Sequence, residues 1–246
     1  MARNRIRLGV NIDHIATIKT NRKTPYPSLI DAVHIAERNG ADLITVHLRE
    51  DRRHIQDQDL LEIKKNANLL NLEMALTSEM IAICLKIMPD FCCIVPEKRQ
   101  ELTTEGGLDI KGMSNEKFNF LTKSIQKIQS NNIDTSLFID PETDQIDLCV
   151  KAGVKIIELH TGTYADAQDE KVQADELKRL ESAAEYASNN GIRVHAGHGL
   201  NLSNLSKICK ISQVKELNIG HAIIADSIFK GFEKSVQDFR SAIDNG

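Results

Sequence analysis

The chain has 246 residues, with 31 Lys or Arg against 35 Asp or Glu, so its formal charge is −4. Its 41% hydrophobic and 27% charged residues make a globular composition, not a disordered one. The slight acidity argues against nucleic-acid binding, which leaves a basic footprint, yet permits small anionic ligands held by a few local cations.

The chain alternates strand-like and helix-like segments. Strands are predicted over residues 8–12, 43–47, 70–74, 91–95, 135–139, 155–159, 192–195 and 217–219. Helices are predicted over 28–39, 60–67, 78–88, 115–130, 143–152, 174–189, 202–211 and 223–243. The strand runs are mostly apolar throughout, as expected for a parallel sheet buried on both faces. Leu29, Ala32, Val33 and Ala36 recur at helical spacing. Gly40, Gly153 and Gly191 stand where a left-handed turn would close a helix, and Ser78 and Ser203 where a side chain would cap one. Residues 96–113, with Thr103, Thr104, Gly106 and Gly107, read as a mobile loop or lid; residues 164–172 read as a shorter loop.

Eight strand–helix pairs in 246 residues average about 31 residues each. The expectation is an α/β fold: one (βα)8 TIM-type barrel over residues 1–246, with short extra helices. An open doubly wound sheet is the competitor, and the count of eight favours closure. Cys84, Cys92, Cys93, Cys149 and Cys209 form no C-x-x-C pair and sit in apolar runs, so buried reduced thiols are expected. The longest apolar run, residues 80–85, is far below the roughly 18 residues of a membrane span, and no signal-peptide core precedes Asn11 and Asp13. A cytoplasmic protein with no membrane or nucleic-acid partner is expected.

In such a barrel the active site lies at the C-terminal ends of the strands. There the sequence places Asn11, Asp13 and His14; His47, Arg49, Glu50, Asp51 and His54; Glu73; Glu97; Asp140; Glu158 and His160; His195 and His198; Gly220 and His221. Seven of the eight histidines fall in or after strands, with His34 alone inside a helix. Imidazoles and carboxylates converging on one rim point to acid–base chemistry. Gly197-His198-Gly199 and Gly220-His221 precede helices whose first amides could take a phosphate. Arg22 and Arg49, in the first two loops, could pair with phosphate. Metal binding is the rival reading, but no H-x-H follows strand one and no H-E-x-x-H occurs. No lysine stands at a strand end, which argues against Schiff-base chemistry.

Seven segments carry a family likeness: NIDHIAT (11–17), TVHLREDRRH (45–54), NLEMA (71–75), VPEKRQELTTEGG (95–107), ELHTG (158–162), AGHGL (196–200) and ELNIGHA (216–222). With these the chain resembles the pyridoxine 5'-phosphate synthase family. The resemblance implies an enzyme that joins 3-amino-2-oxopropyl phosphate to 1-deoxy-D-xylulose 5-phosphate, giving pyridoxine 5'-phosphate, phosphate and water. It implies no metal, no organic cofactor and a homo-octamer. It implies that His47 and Glu73 accept protons, His198 donates one and Glu158 stabilises a transition state. Asn11, Arg22, Gly199, Gly220 and His221 would then hold the amino ketone phosphate. Asp13, His14, Arg49, His54 and Thr103 would hold the deoxyxylulose phosphate. His195 departs from the family pattern, where Asn is expected. A phosphosugar epimerase or aldolase on the same barrel, or a non-catalytic phosphate-binding barrel, are the competing functions.

Overall fold

The apolar runs conceal an alternation. The computed structural model describes residues 5–97 and 106–246. Eight parallel strands close into a barrel in chain order: β1 (Arg7–Asn11), β2 (Leu43–His47), β3 (Leu70–Met74), β4 (Phe91–Ile94), β5 (Asp134–Ile139), β6 (Ile156–His160), β7 (Arg193–Gly197) and β8 (Val214–Ile219). One set of alternate residues, including Leu8, Val10, Ile44, Val46, Leu72, Ile157, Leu159 and Leu217, packs outward in a single apolar cluster. Their partners are helix residues such as Val33, Ala36, Leu60, Ile63 and Ile125. Each such side chain stabilises the fold by about 1.5–3 kcal/mol.

The other set faces the barrel axis and is largely polar. Thr45, Asn71, Ser136, Glu158, His195, Glu216 and Asn218 are all buried there. The expectation of strands apolar on both faces is therefore corrected: the inner face carries polar groups, several of which hydrogen-bond one another. Thr45 Oγ1 donates to Asn218 Oδ1 at 2.9 Å, above Gly9 of the intervening β1. A Cβ on Gly9 would lie 2.1 Å from that Asn218 oxygen, so the contact requires glycine. Only Cys93, Val95 and Phe138 form a separate apolar cluster among the described residues.

Eleven helices surround the strands among the described residues: α1 (Asp13–Arg22), α2 (Leu29–Arg38), α3 (Asp57–Asn66), α4 (Ser78–Ile87), α5 (Asn115–Gln129), α6 (Thr143–Ala152), α7 (Gly162–Asp166), α8 (Glu170–Asn189), α9 (Leu205–Cys209), α10 (His221–Lys230) and α11 (Phe232–Asp244). Helices α1 and α7 fall where loops were expected. The helix expected over residues 223–243 breaks at Gly231, whose φ of 82° and ψ of 148° no helix can hold. Thr77, not Ser78, caps α4, and Ser203 precedes α9 without capping it. Part of the expected mobile loop is packed: Leu108 donates from its amide to the Phe138 carbonyl at 2.7 Å, and Leu108 and Ile110 are buried. Thr103 and Thr104 lie outside the described residues. The five cysteines are buried, and none forms a disulfide. Among the described residues no helix is long and apolar enough to cross a membrane.

Candidate active site

The polar inner residues continue upward into the strand ends. At the top of β1, Asn11 Nδ2 donates to Asp13 Oδ2 at 2.8 Å, and the Asp13 amide donates to Asn11 Oδ1 at 2.9 Å. The other Asp13 oxygen accepts from the His47 amide at 2.9 Å, bracing the end of β2. Burial pushes the Asp13 carboxyl up to about 7, against those hydrogen bonds. The His14 and His221 rings lie 5.0 Å apart and join the β1 and β8 ends.

His47 and Glu73 are register partners on β2 and β3. Burial holds the His47 imidazole down to about 3, and nearby His54 and Arg49 reinforce this. His47 is thus a neutral ring, and its Nε2 is buried with no hydrogen-bond partner among the described residues. The His54 ring stands 6.1 Å away, its pKa lowered to about 4 by burial and by Arg49. Burial raises Glu73 well above the usual carboxylate range, with repulsion from Glu158 and Asp13 adding to it. Buried Arg49 is tied to Glu97 at 3.3 Å and Asp51 at 3.5 Å, which joins the segments following β4 and β2.

Across the mouth, His160 Nδ1 lies 2.9 Å from Asp140 Oδ1, which also accepts from the Gly107 amide at 3.0 Å. The His160 ring is 5.1 Å from His198. Burial, then His160, lowers the His198 pKa. His198 and Gly199 both take left-handed backbone, with φ of 82° and 76°. Thr161 Oγ1 holds that turn, its single proton within reach of both the Gly197 carbonyl at 2.8 Å and the His198 carbonyl at 2.5 Å. Glu158 accepts from Asn218 Nδ2 at 2.8 Å and lies 4.0 Å from Cys93 Sγ. Burial pushes Glu158 up to about 8, Glu216 adds to the rise and Asn218 opposes it.

His47, Glu73, Glu158 and His198 therefore share one mouth. His47 pairs with Glu73 in register, Glu73 and Glu158 repel each other, and Glu158 fills the space above Gly197, next to His198. Asn11, Asp13, His14, Arg49, His54, Gly199, Gly220 and His221 ring the same mouth. Arg22 does not sit in a loop. It ends α1, is exposed, and shares no hydrogen bond, ion pair or ring contact with the strand-end residues among those described. Helices α1, α7 and α10 start at strand ends without a side-chain cap at the N-cap position; the first amide of α1, that of Asp13, is already taken by Asn11, whereas the first amides of α10 point to an anion site. Asn218, Thr161 and Phe138 also line this region, though none was expected there from the sequence. The signal for Asn218 was the alternation in Glu216-Leu-Asn218, which turns both polar residues to one face. No three His, Cys, Asp or Glu side chains among the described residues are arranged to hold a metal ion.

Residues 8–245 match the family described as pyridoxal phosphate biosynthesis protein PdxJ. Among similar sequences, the pyridoxine 5'-phosphate synthase of Photobacterium profundum is 51% identical over 238 residues, covering 96% of each chain. That of Sulfurihydrogenibium sp. is 50% identical over 244 residues, covering 98% of each. Among solved structures, a 4-hydroxy-2-oxoglutarate aldolase/2-deydro-3-deoxyphosphogluconate aldolase from TTHB1 superposes with a TM-score of 0.61 at 11% identity, covering 96% of this chain and 93% of that one. At that identity the likeness is one of fold alone.

Proposed function

This chain belongs to the pyridoxal phosphate biosynthesis family PdxJ, and we propose that it joins 3-amino-2-oxopropyl phosphate to 1-deoxy-D-xylulose 5-phosphate, releasing pyridoxine 5'-phosphate, phosphate and water. It is an enzyme of the kind its relatives are named for, pyridoxine 5'-phosphate synthase. The observation that carries the detailed reading is the pairing of His47, neutral and with an unpartnered buried Nε2, with its register neighbour Glu73 at a mouth shared with Glu158 and His198.

The substrate amine and the sugar ketone can condense to an imine, with loss of water, and no protein nucleophile is needed. Ring closure then calls for proton removal at carbon and proton delivery to leaving oxygens. His47 takes a proton at Nε2. Glu73, whose raised pKa makes its carboxylate a stronger base, takes another. His198 delivers one, since a lowered pKa makes its imidazolium a stronger acid. Incoming phosphate dianions raise the proton affinity of nearby imidazoles and supply the protonated form. Glu158 stabilises positive charge that develops on the condensing nitrogen.

Asn11, Arg22, Gly199, Gly220 and His221 hold the amino ketone phosphate, and the uncapped start of α10 supports this placement. Asp13, His14, Arg49, His54 and Thr103 hold the deoxyxylulose phosphate. Two phosphate handles orient the reacting carbons. The enzyme works without metal or organic cofactor, as a cytoplasmic homo-octamer. The test is an end-point assay with both phosphorylated substrates and no added cofactor. Equal amounts of pyridoxine 5'-phosphate and inorganic phosphate are expected; absence of the ring product would overturn the reading.

A further inference from the structure

Below the mouth, the barrel holds charged groups for which the proposed chemistry has no use. His195 Nδ1 lies 3.0 Å from Glu216 Oε1, and Arg7 Nη2 lies 2.6 Å from Glu216 Oε2. The Arg7 guanidinium is seated over the Phe91 ring, 4.8 Å from its centre. Strand register sets these contacts, because Glu216 pairs with Arg7 on one side and with His195 on the other. Two residues along β8, Asn218 Nδ2 donates to Glu158 Oε2 at 2.8 Å and reaches Glu216 Oε1 at 3.3 Å. An amide nitrogen has two hydrogens, so Asn218 can serve both carboxylates at once. Its own oxygen is held by Thr45 at 2.9 Å, which prevents the amide from turning over.

We propose that Glu216 is a positioning residue for Glu158, acting through Asn218, and that the His195 contact with Glu216 sets the strength with which it acts. The proposal rests on the reading that Glu158 serves the reaction. Glu158 is faced by Asn218 and Glu216 from β8, by its register partner His195 from β7, by Cys93 from β4 and by Glu73 from β3. His195 is faced by Glu158 from β6 and Glu216 from β8. Its Nε2 is buried without a hydrogen-bond partner among the described residues, so its described hydrogen bonding runs to Glu216. Burial raises the Glu216 carboxyl, but His195 and Arg7 outweigh burial and hold it ionised. The His195 ring against Glu216 disperses part of that negative charge and so eases ionisation of Glu158. Without that contact Glu216 repels charge on Glu158 more strongly.

The test is an infrared titration of the Glu158 carboxyl in the full-length protein, with Glu158→Gln as the subtraction reference. Glu216→Gln is expected to lower the Glu158 midpoint by about one pH unit. His195→Asn is expected to raise it. The double variant is expected to behave as Glu216→Gln, since His195 acts through Glu216. If Glu216→Gln does not fold, His195→Asn still decides, because it keeps the Arg7–Glu216 pair. A Glu158 midpoint that stays put in the variants, or moves the same way in both, overturns the proposal. The kcat–pH profile of the same variants separates the two readings. A moved midpoint with an unmoved profile keeps the coupling and removes Glu158 from the chemistry.

Discussion

Gly162 shows how closely individual atoms set the mouth. A Cβ there would stand 2.4 Å from His160 Nε2 and 3.1 Å from His198 Cδ2. His160 cannot retreat without leaving Asp140. Gly162→Ala is therefore expected to lower kcat by about 10²-fold, the effect of misplacing reacting groups by about 1 Å, and to lower the melting temperature as well, since the added methyl overpacks buried rings at a cost of about 1–3 kcal/mol. Steady-state kinetics and a thermal melt check this, and an unchanged kcat would contradict it. The two arginines should separate. Arg22→Ala is expected to raise KM for the amino ketone phosphate alone. Arg49→Ala is expected to raise KM for the deoxyxylulose phosphate and also to lower Tm, because it leaves Glu97 without its buried cation. Equal effects on both substrates would contradict the split. The placement of His47, Glu73 and His198 at or just past strand ends was legible in the sequence, because polar residues there interrupt apolar runs, whereas the roles proposed for them came from the family likeness alone. Arg22 was placed in a loop because its helix buries little beyond Ile15 and Ala16 on its apolar side, and so shows almost no hydrophobic period.

At the scale of elements, the strands were legible and the helix ends less so. Three of the sequence signals for helix ends, Gly40, Gly153 and Gly191, rested on glycine, yet the break between α10 and α11 went unread, since Ile223, Ile224, Val236 and Phe239 keep an apolar face on both sides of it. Gly231 makes the break with backbone that side chains rarely tolerate, and nothing lies within 4 Å of the position a Cβ would take. Gly231→Ala therefore isolates backbone strain. It is expected to cost about 1–3 kcal/mol, or about 2–4 °C in Tm per kcal/mol, with kcat unchanged. A thermal melt beside a turnover assay measures both, and an undiminished Tm would contradict the reading of that junction. The inner face of the barrel was hidden for a different reason. Cys, Ser, Thr and Gly alternate with Leu and Ile in runs that look apolar throughout, and the parallel register that brings Arg7, His195 and Glu216 together leaves no local signature.

For the whole molecule, the buried charges set how stability follows pH. Glu158 and Asp13 have folded pKa values raised to about 8 and about 7. Their contribution to stability is full below the usual carboxylate range and is lost as pH rises through those values. His47 and His54 are depressed to about 3 and about 4 from 6.5, so their contribution is lost as pH falls below 6.5. The two trends oppose each other in mild acid. Between about pH 6.5 and 8 only the carboxyls act, and Tm of the ligand-free protein is expected to fall by several degrees, about 2–4 °C for each kcal/mol. Glu158→Gln should flatten that slope in calorimetry, and a slope unchanged by it would contradict the assignment. The most direct measurement concerns the claim that the strand-end cluster does the chemistry: turnover of purified His47→Asn with both phosphorylated substrates, beside circular dichroism to show the fold. A loss of about 10²–10⁴-fold in kcat with an intact fold is expected; wild-type turnover in the folded variant would contradict it.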